Sequence, residues 1–363
     1  MAEKVLMKGN EAIAEAAILS GCLHYFGYPI TPQTEIAAYM AKRMPKVNGC
    51  FLQAESEVAA INMVIGASAA GRRTMTSSSS PGIALKSEGL SYLAGCDLPA
   101  VVVNIQRGGP GLGGIQPSQA DYFQATKGGG HGDYRMLVLA PASVQEMFDL
   151  TALAFELADQ YRVTSMLFSD GILGQMMEAV DISSLCAQAN ESPAQKPWAL
   201  TGTRNARKPN IINSLYMQPE DLERVNRERF VRYAEIAAKE TRWEEFLTED
   251  AQVIVVAYGA AARIAKNAIN AARAQGIKAG LLRPVTLWPF PKEALGRLSA
   301  CARTKGFVCV ELSMGQMIED VELATRCAKP VRLVSRTGGM VPSPDEIIEK
   351  IRKVNAIENG RGG

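Results

Sequence analysis

Two prolines, Pro29 and Pro32, flank Ile30 and Thr31 in the stretch GYPITPQTEI, residues 27–36. Proline fixes φ and removes a backbone donor, so the stretch reads as a rigid loop between two helices. A hydroxyl held still in this way can aim a hydrogen bond at a substrate, or it can serve as a turn or helix-cap group. Glu55 and Glu57 follow in QAESEVAAINMVIGASAAG, where a short strand meets a helix. Acids at a helix start complement its dipole, which is the simpler reading of both. The helix behind them is almost wholly apolar or small, so a glutamate at its start is expected to be partly buried. Such a carboxyl has a raised affinity for a proton and wants a basic partner. Arg107 closes the apolar run PAVVVNIQR, where an ordinary surface ion pair is the plainer alternative to a binding role.

Gly109, Gly111 and Gly114 in GGPGLGG satisfy the G-x-G-x-x-G spacing after a strand. A dinucleotide site needs these glycines to open a helix, with an acidic residue about 20 positions on. Here Pro117 follows the glycines, and Asp133 lies in another glycine-rich loop. A loop closely approached by a ligand is the better reading, because glycine lets backbone come near. The second loop, Gly128 to Gly132, is expected to leave the same sheet end. His131 has only its place between glycines to recommend it. SSSSPG, residues 77–82, reads as a polar strand-to-helix turn, with a phosphate or pyrimidine contact as the alternative.

Elements that must position these groups alternate along the chain. A helix is expected over 10–26 behind Asn10 as N-cap, and another from Thr34 to Arg43 before Pro45. GCFLQA, RTMTSS, PAVVVNIQ, MLVLA and VTSMLFS read as strands. PGIALKSEGLSYLAG and SVQEMFDLTALAFELADQY read as helices between them. PAVVVNIQ lacks polar alternation, as expected of a strand covered on both faces. Regular alternation of strand and helix predicts a parallel, doubly wound α/β sheet over residues 1–185. Residues 186–250 are expected to form a polar, proline-containing linker and a charged helical arm through QPEDLERVNRERFVRYAEIAAKETRWEEF, lying on a neighbour or on the domain surface. Alternation returns at Ala251, predicting a second, smaller α/β domain over 251–363.

The 363 residues are 47% hydrophobic and 21% charged, with a formal net charge of +2. No electrostatic case exists for a nucleic acid or a membrane surface. No apolar run reaches the roughly 18 residues that span a bilayer, and the first residues lack the regions of a signal peptide. Seven dispersed cysteines without a C-x-x-C argue against a disulfide framework, a zinc site or a cluster. They read as buried small hydrophobes in a reducing cytoplasm. Two histidines disfavour histidine-rich catalysis.

Together, GYPITPQTEI, QAESEVAAINMVIGASAAGRRTMTSSSSPG, LPAVVVNIQRGGPG, SVQEM, LRPVTLWPFP and ELSMGQMIEDVE resemble one family. It is the pyrimidine-binding subunit of 2-oxoacid:ferredoxin oxidoreductases, which are thiamine-diphosphate enzymes. The pieces run from near residue 9 to 345. RGGPGLGGIQPSQADYFQATKGGGHGDYR looks most like the branched-chain type, acting on 3-methyl-2-oxobutanoate. The 2-oxoglutarate type departs from this wording after RGGP and is the alternative.

The resemblance implies a pyrimidine-binding domain followed by a transketolase C-terminal-like domain. It implies that Glu57 bonds the cofactor's aminopyrimidine ring, sharing a proton at its ring nitrogen. Thr31 and Arg107 match the threonine and arginine at the substrate carboxylate, a role that suits a bidentate guanidinium. No Gly-Asp-Gly motif for magnesium and diphosphate occurs here, and HGDYR has only Gly132-Asp133. A partner catalytic subunit is therefore expected to supply diphosphate binding, magnesium and the iron–sulfur cluster. Gamma-type and ferredoxin-like subunits, coenzyme A as co-substrate and ferredoxin as acceptor complete the expectation. Two other classes stay open: a stand-alone nucleotide-dependent dehydrogenase, and a non-catalytic assembly subunit.

Overall fold

Ala100–Gln106 and Thr164–Asp170 are buried at every residue, which puts them at the centre of a sheet. The structure, a computed structural model, describes residues 4–186 and 196–357. Seven strands form the first sheet, in the order Thr286–Trp288, Leu137–Leu139, Thr164–Asp170, Ala100–Gln106, Thr74–Ser78, His24–Gly27 and Cys50–Gln53. All neighbours are parallel except the first pair. A second sheet runs Val331–Ser335, Gly306–Glu311, Val253–Val256, Ala279–Pro284 and Trp243–Phe246, and only its last pair is antiparallel. Lys4–Lys8 and Met177–Asp181 add a two-stranded antiparallel ribbon. Two α/β units with mostly parallel sheets are thus present, as the alternation predicts.

Several local expectations change. The first helix is Gly9–Leu19, not 10–26, because Gly21 takes φ +77° and turns the chain into the strand His24–Gly27. Asn10 is not the cap but lies inside the helix, fully buried. Its Nδ2 donates to the Pro32 carbonyl at 2.8 Å and to Glu35 Oε2 at 2.9 Å, anchoring the proline loop. The charged arm is the helix Pro219–Glu240, and it lies on its own chain. Arg229 Nε donates to Asp97 Oδ1 at 3.1 Å, and the Tyr161 hydroxyl donates to Glu240 at 2.7 Å. Its tail, WEEF, is a strand rather than helix, because Trp243–Phe246 pairs with Ala279–Pro284. Part of the linker, residues 187–195, and the side chain of Cys186 lie outside the described residues. The cysteines are not uniformly buried: Cys22 and Cys309 are, whereas Cys50 and Cys327 are exposed.

The two units share interior. Gln119 Nε2 donates to the Tyr258 carbonyl at 3.0 Å, and its Oε1 accepts from Leu312 N at 3.0 Å. The Tyr122 hydroxyl donates to Asp320 at 2.6 Å. Among the described residues no helix is long and apolar enough to cross a membrane.

ELSMGQMIEDVE takes its structural meaning here. Glu311 is fully buried. Its Oε2 accepts from Gln316 N (2.9 Å) and Met317 N (3.0 Å), and its Oε1 from Ile318 N (2.9 Å). These are the orphan donors at the start of the helix Met317–Ala324. Glu311→Gln removes the charge those donors share, so unfolding free energy should fall by roughly 1.5–3 kcal/mol. Urea unfolding of the full chain measures it, and an unchanged midpoint would show that the acid only fills space.

Candidate active site

Parallel pairing brings the ends of several strands to one edge of the first sheet. Past the carboxyl ends of His24–Gly27, Cys50–Gln53, Thr74–Ser78 and Ala100–Gln106 lie the proline loop, Glu57, Ser78–Ser80 and Arg107. Open α/β sheets bind ligands in this position.

Glu57 is the first residue of the helix Glu57–Ala69 and is buried, at 6% exposure, whereas Glu55 is exposed. The two acids are thereby separated. Ser56 caps the helix by accepting from Ala59 N at 3.1 Å, so Glu57 is not needed as the cap. The Glu57 carboxylate presses on Gly82, where an added Cβ would stand 2.6 Å from Glu57 Oε1 and 2.1 Å from Ser78 Oγ. Around it, Ser78 Oγ, Ser79 Oγ and Lys86 Nζ are buried without a hydrogen-bond partner. Orphaned polar atoms of this kind are what a bound polar ring would satisfy.

Arg107 and Thr31, 76 residues apart, meet: Arg107 Nη1 donates to the Thr31 carbonyl at 3.1 Å. Nη2 donates to the Leu112 carbonyl at 3.1 Å, and Nε is buried without a partner. Arg107, 7% exposed, therefore clamps the proline loop to the glycine loop through its guanidinium and keeps an unused donor. The Arg107 N–H donates to Ser80 Oγ at 3.1 Å, joining this clamp to the SSSSPG turn beside Glu57. The Thr31 residue itself is exposed. From the sheet side, Ser77 Oγ donates to Gln33 Oε1 at 2.5 Å and meets the Tyr25 hydroxyl at 2.6 Å, which fixes the base of the proline loop.

In the glycine loop, Gly113 takes φ +60°, and a Cβ there would lie 1.8 Å from the Gly108 carbonyl oxygen. The loop closes tightly on itself and opens no helix. A dinucleotide fingerprint needs that helix.

His131 is not part of this edge. Leu137–Leu139 runs parallel to Thr164–Asp170, which runs parallel to Ala100–Gln106. The loop of Gly128 to Gly132 therefore feeds its strand at the amino end, opposite the glycine loop at 107–114. The expectation that both loops leave one sheet end is overturned by strand direction. His131 is exposed and lines a cavity of about 170 Å³ with Tyr92, Gly95 and Arg229.

Sequence reasoning misses three acid–base groups at or near the Glu57 edge. Asp170 ends its strand and caps the next helix, and burial pushes its carboxyl up to about 6. Burial also raises the Asp121 carboxyl, against the opposing hydrogen bonds of Ser80 and Asn104. Lys86 is fully buried, and burial lowers its amine to about 8, opposed by the charge of Glu57. The signal for Lys86 is periodic: Ile83, Lys86, Leu90 and Leu93 share the apolar face of one helix. Among the described residues no cluster of three or more His, Cys, Asp or Glu side chains could hold a metal ion.

Residues 15–239 match the family described as pyruvate flavodoxin/ferredoxin oxidoreductase, thiamine diphosphate-binding. Residues 251–347 match pyruvate:ferredoxin oxidoreductase core domain II. The chain is 49% identical over 354 residues to the ketoisovalerate oxidoreductase subunit VorB of Methanothermobacter marburgensis, covering 98% of this chain and 99% of that one. It is 36% identical over 385 residues to the 2-oxoglutarate synthase subunit KorA of Methanothermobacter thermautotrophicus, covering 98% and 100%. A chain of the 2-oxoglutarate:ferredoxin oxidoreductase from Magnetococcus marinus, solved with 2-oxoglutarate, coenzyme A and succinyl-CoA bound, is similar with a TM-score of 0.86 and 27% identity. That alignment covers 98% of this chain and 66% of the longer one.

Proposed function

The chain belongs to the pyruvate flavodoxin/ferredoxin oxidoreductase family, and from that premise we propose that it is the pyrimidine-binding subunit of an enzyme acting on 3-methyl-2-oxobutanoate. The reaction is the coenzyme A-dependent oxidative decarboxylation of that acid to an acyl-CoA and carbon dioxide, with reduction of ferredoxin. The convergence of buried Glu57 with the Arg107–Thr31 clamp on one sheet edge carries the assignment of the site. The branched-chain substrate is supported by 49% identity to a ketoisovalerate oxidoreductase subunit against 36% to a 2-oxoglutarate synthase subunit.

The residues fit the pyrimidine half of thiamine diphosphate. A buried carboxylate faces a glycine that leaves room, beside unpartnered serine hydroxyls. When bound, the cofactor supplies the nucleophilic carbon and the sink for the electrons that decarboxylation leaves. Glu57 would hold the proton at the ring nitrogen, a role a buried carboxylate fills without competition from water. Arg107 would give the substrate carboxylate a charged anchor through its unused donors, and the Thr31 hydroxyl a directional bond to the same group. Val58, next to Glu57, is 44% exposed, and Leu85, next to Lys86, is 56% exposed, which suits cover by another subunit.

Partner subunits complete the site. In this assignment a catalytic subunit holds diphosphate, magnesium and an iron–sulfur cluster. Gamma-type and ferredoxin-like subunits carry the remaining work, and ferredoxin takes the electrons. A cytoplasmic location agrees with the cysteines, which are free among the described residues whose side chains are placed.

Co-purification of tagged chain with untagged partners, followed by viologen-reduction assays over a panel of 2-oxoacids, tests the assignment. The highest kcat/KM is expected with 3-methyl-2-oxobutanoate. Preference for 2-oxoglutarate would transfer the chain to that branch of the family. The purified single chain should turn over nothing and show no iron–sulfur absorbance; a visible chromophore would overturn this division of labour.

A further inference from the structure

The helix Ser80–Gly95 turns one face, made of Gly82, Lys86 and Gly89, toward the helix Glu57–Ala69. These positions are spaced a turn apart and share a side of the helix. Both glycines are in tight contact. A Cβ on Gly82 would stand 2.6 Å from Glu57 Oε1, and one on Gly89 would stand 2.5 Å from Ile61 Cγ2. Glu57 and Ile61 are in turn one helical turn apart. Lys86 therefore lies between two close contacts, opposite the Glu57–Ile61 face.

Lys86 is 0% exposed, and its Nζ has no hydrogen-bond partner. A buried ammonium is costly unless a charge compensates it. Among the described residues the charge acting on it is that of Glu57, from beyond hydrogen-bond distance. The other ionisable groups nearby are engaged elsewhere. Glu88, on the same helix, accepts from the Tyr92 hydroxyl. Asp121, at the Ser80 end, accepts from Asn104 Nδ2. The Tyr134 oxygen, on the loop packed at Ser87, accepts from Gly130 N.

We propose that Lys86 is a positioning residue for the proton chemistry of Glu57: its ammonium keeps the buried carboxylate ionised while leaving the carboxylate oxygens free for the pyrimidine ring. A direct salt bridge would occupy those oxygens. A cation held slightly farther away stabilises the charge and competes for no lone pair. The inference rests on the proposed role of Glu57 and adds to it the group that sets the proton affinity of that acid.

The sign is definite. Lys86 carries its charge below about 8 and loses it as pH rises through that value. While charged, it supports a negative charge on a carboxylate across from it, and its removal takes that support away.

Lysine 15N NMR on the full chain tests the pair without cofactor or partners. The Lys86 side-chain signal is identified by its loss in Lys86→Met. Its titration midpoint is expected well below that of an ordinary lysine. In Glu57→Gln it should fall further, by about 1–3 units, the reach of one opposite charge at close range. A midpoint unmoved by Glu57→Gln overturns the proposal. In the reconstituted complex, Lys86→Met should shift the acid limb of the kcat/KM profile about one unit or more to higher pH, and Lys86→Arg should hold it in place. A wild-type limb in Lys86→Met also overturns the proposal. The NMR result decides the pair even if the 2-oxoacid panel reassigns the enzyme.

Discussion

Glu57→Gln should leave the complex assembled and lower kcat by about 10²–10⁴-fold, the usual worth of a positioned acid–base group. Glutamine keeps the volume against Gly82, so the packing between the two helices persists. Ser56 rather than Glu57 caps the helix, so its start survives the change. In the proposed role, what is lost is the carboxylate that would hold a proton at the ring nitrogen. Glu55→Gln is the internal control. Glu55 is exposed and only two residues away, and its substitution should change kcat little. Steady-state kcat at saturating 2-oxoacid, with assembly checked by size-exclusion chromatography, measures both. A Glu57→Gln complex with the wild-type rate would reduce Glu57 to a buried helix-start acid with no part in the chemistry.

Substitution at the clamp should act on substrate rather than on cofactor. In the proposed role Thr31→Val would delete one hydrogen bond to the substrate carboxylate, worth about 1.5–3 kcal/mol, so kcat/KM should fall roughly 10- to 150-fold. Thr31→Ser keeps the hydroxyl and should restore most of the loss. Arg107→Lys should cost more than Thr31→Val, for two reasons. An ammonium cannot reproduce the planar fork. It also cannot replace both bonds that Arg107 makes, to the Thr31 and Leu112 carbonyls. The double variant should be less than additive, because Arg107 positions the loop that carries Thr31. Affinity for thiamine diphosphate should stay near wild type in all four. Strict additivity, or a normal KM in Thr31→Val with a lowered melting temperature, would make the proline loop a structural turn only.

Much of this site is legible locally. The apolar run ending in Arg107 announces a central strand, and the residue after it must emerge at the carboxyl end. The small-residue helix after Glu57 announces burial of its first acid. Periodicity even marks Lys86 as inward-facing, although a lysine in an apolar pattern is easily passed over. Local pattern fails where one segment suits two structures. Tyr25 and Phe26 continue the apolar spacing of the first helix, yet they form a strand once Gly21 has turned the chain. WEEF extends a charged helix on paper, yet its backbone groups find partners in Ala279–Pro284.

By itself the sequence determined the class of fold, most of the alternation of strand and helix, and the ends at which Glu57 and Arg107 stand. Those are consequences of side-chain period, proline and glycine, which act over a few residues. Tertiary structure alone decided that Thr286–Trp288 completes the first sheet beside Leu137–Leu139 and that the two glycine loops lie at opposite edges. It also decided that Arg107 grips the Thr31 carbonyl and that Lys86 sits unpaired near Glu57. These contacts join residues from 29 to more than a hundred positions apart. Such pairings depend on which surfaces bury each other and satisfy each other's donors, and no local propensity encodes that choice.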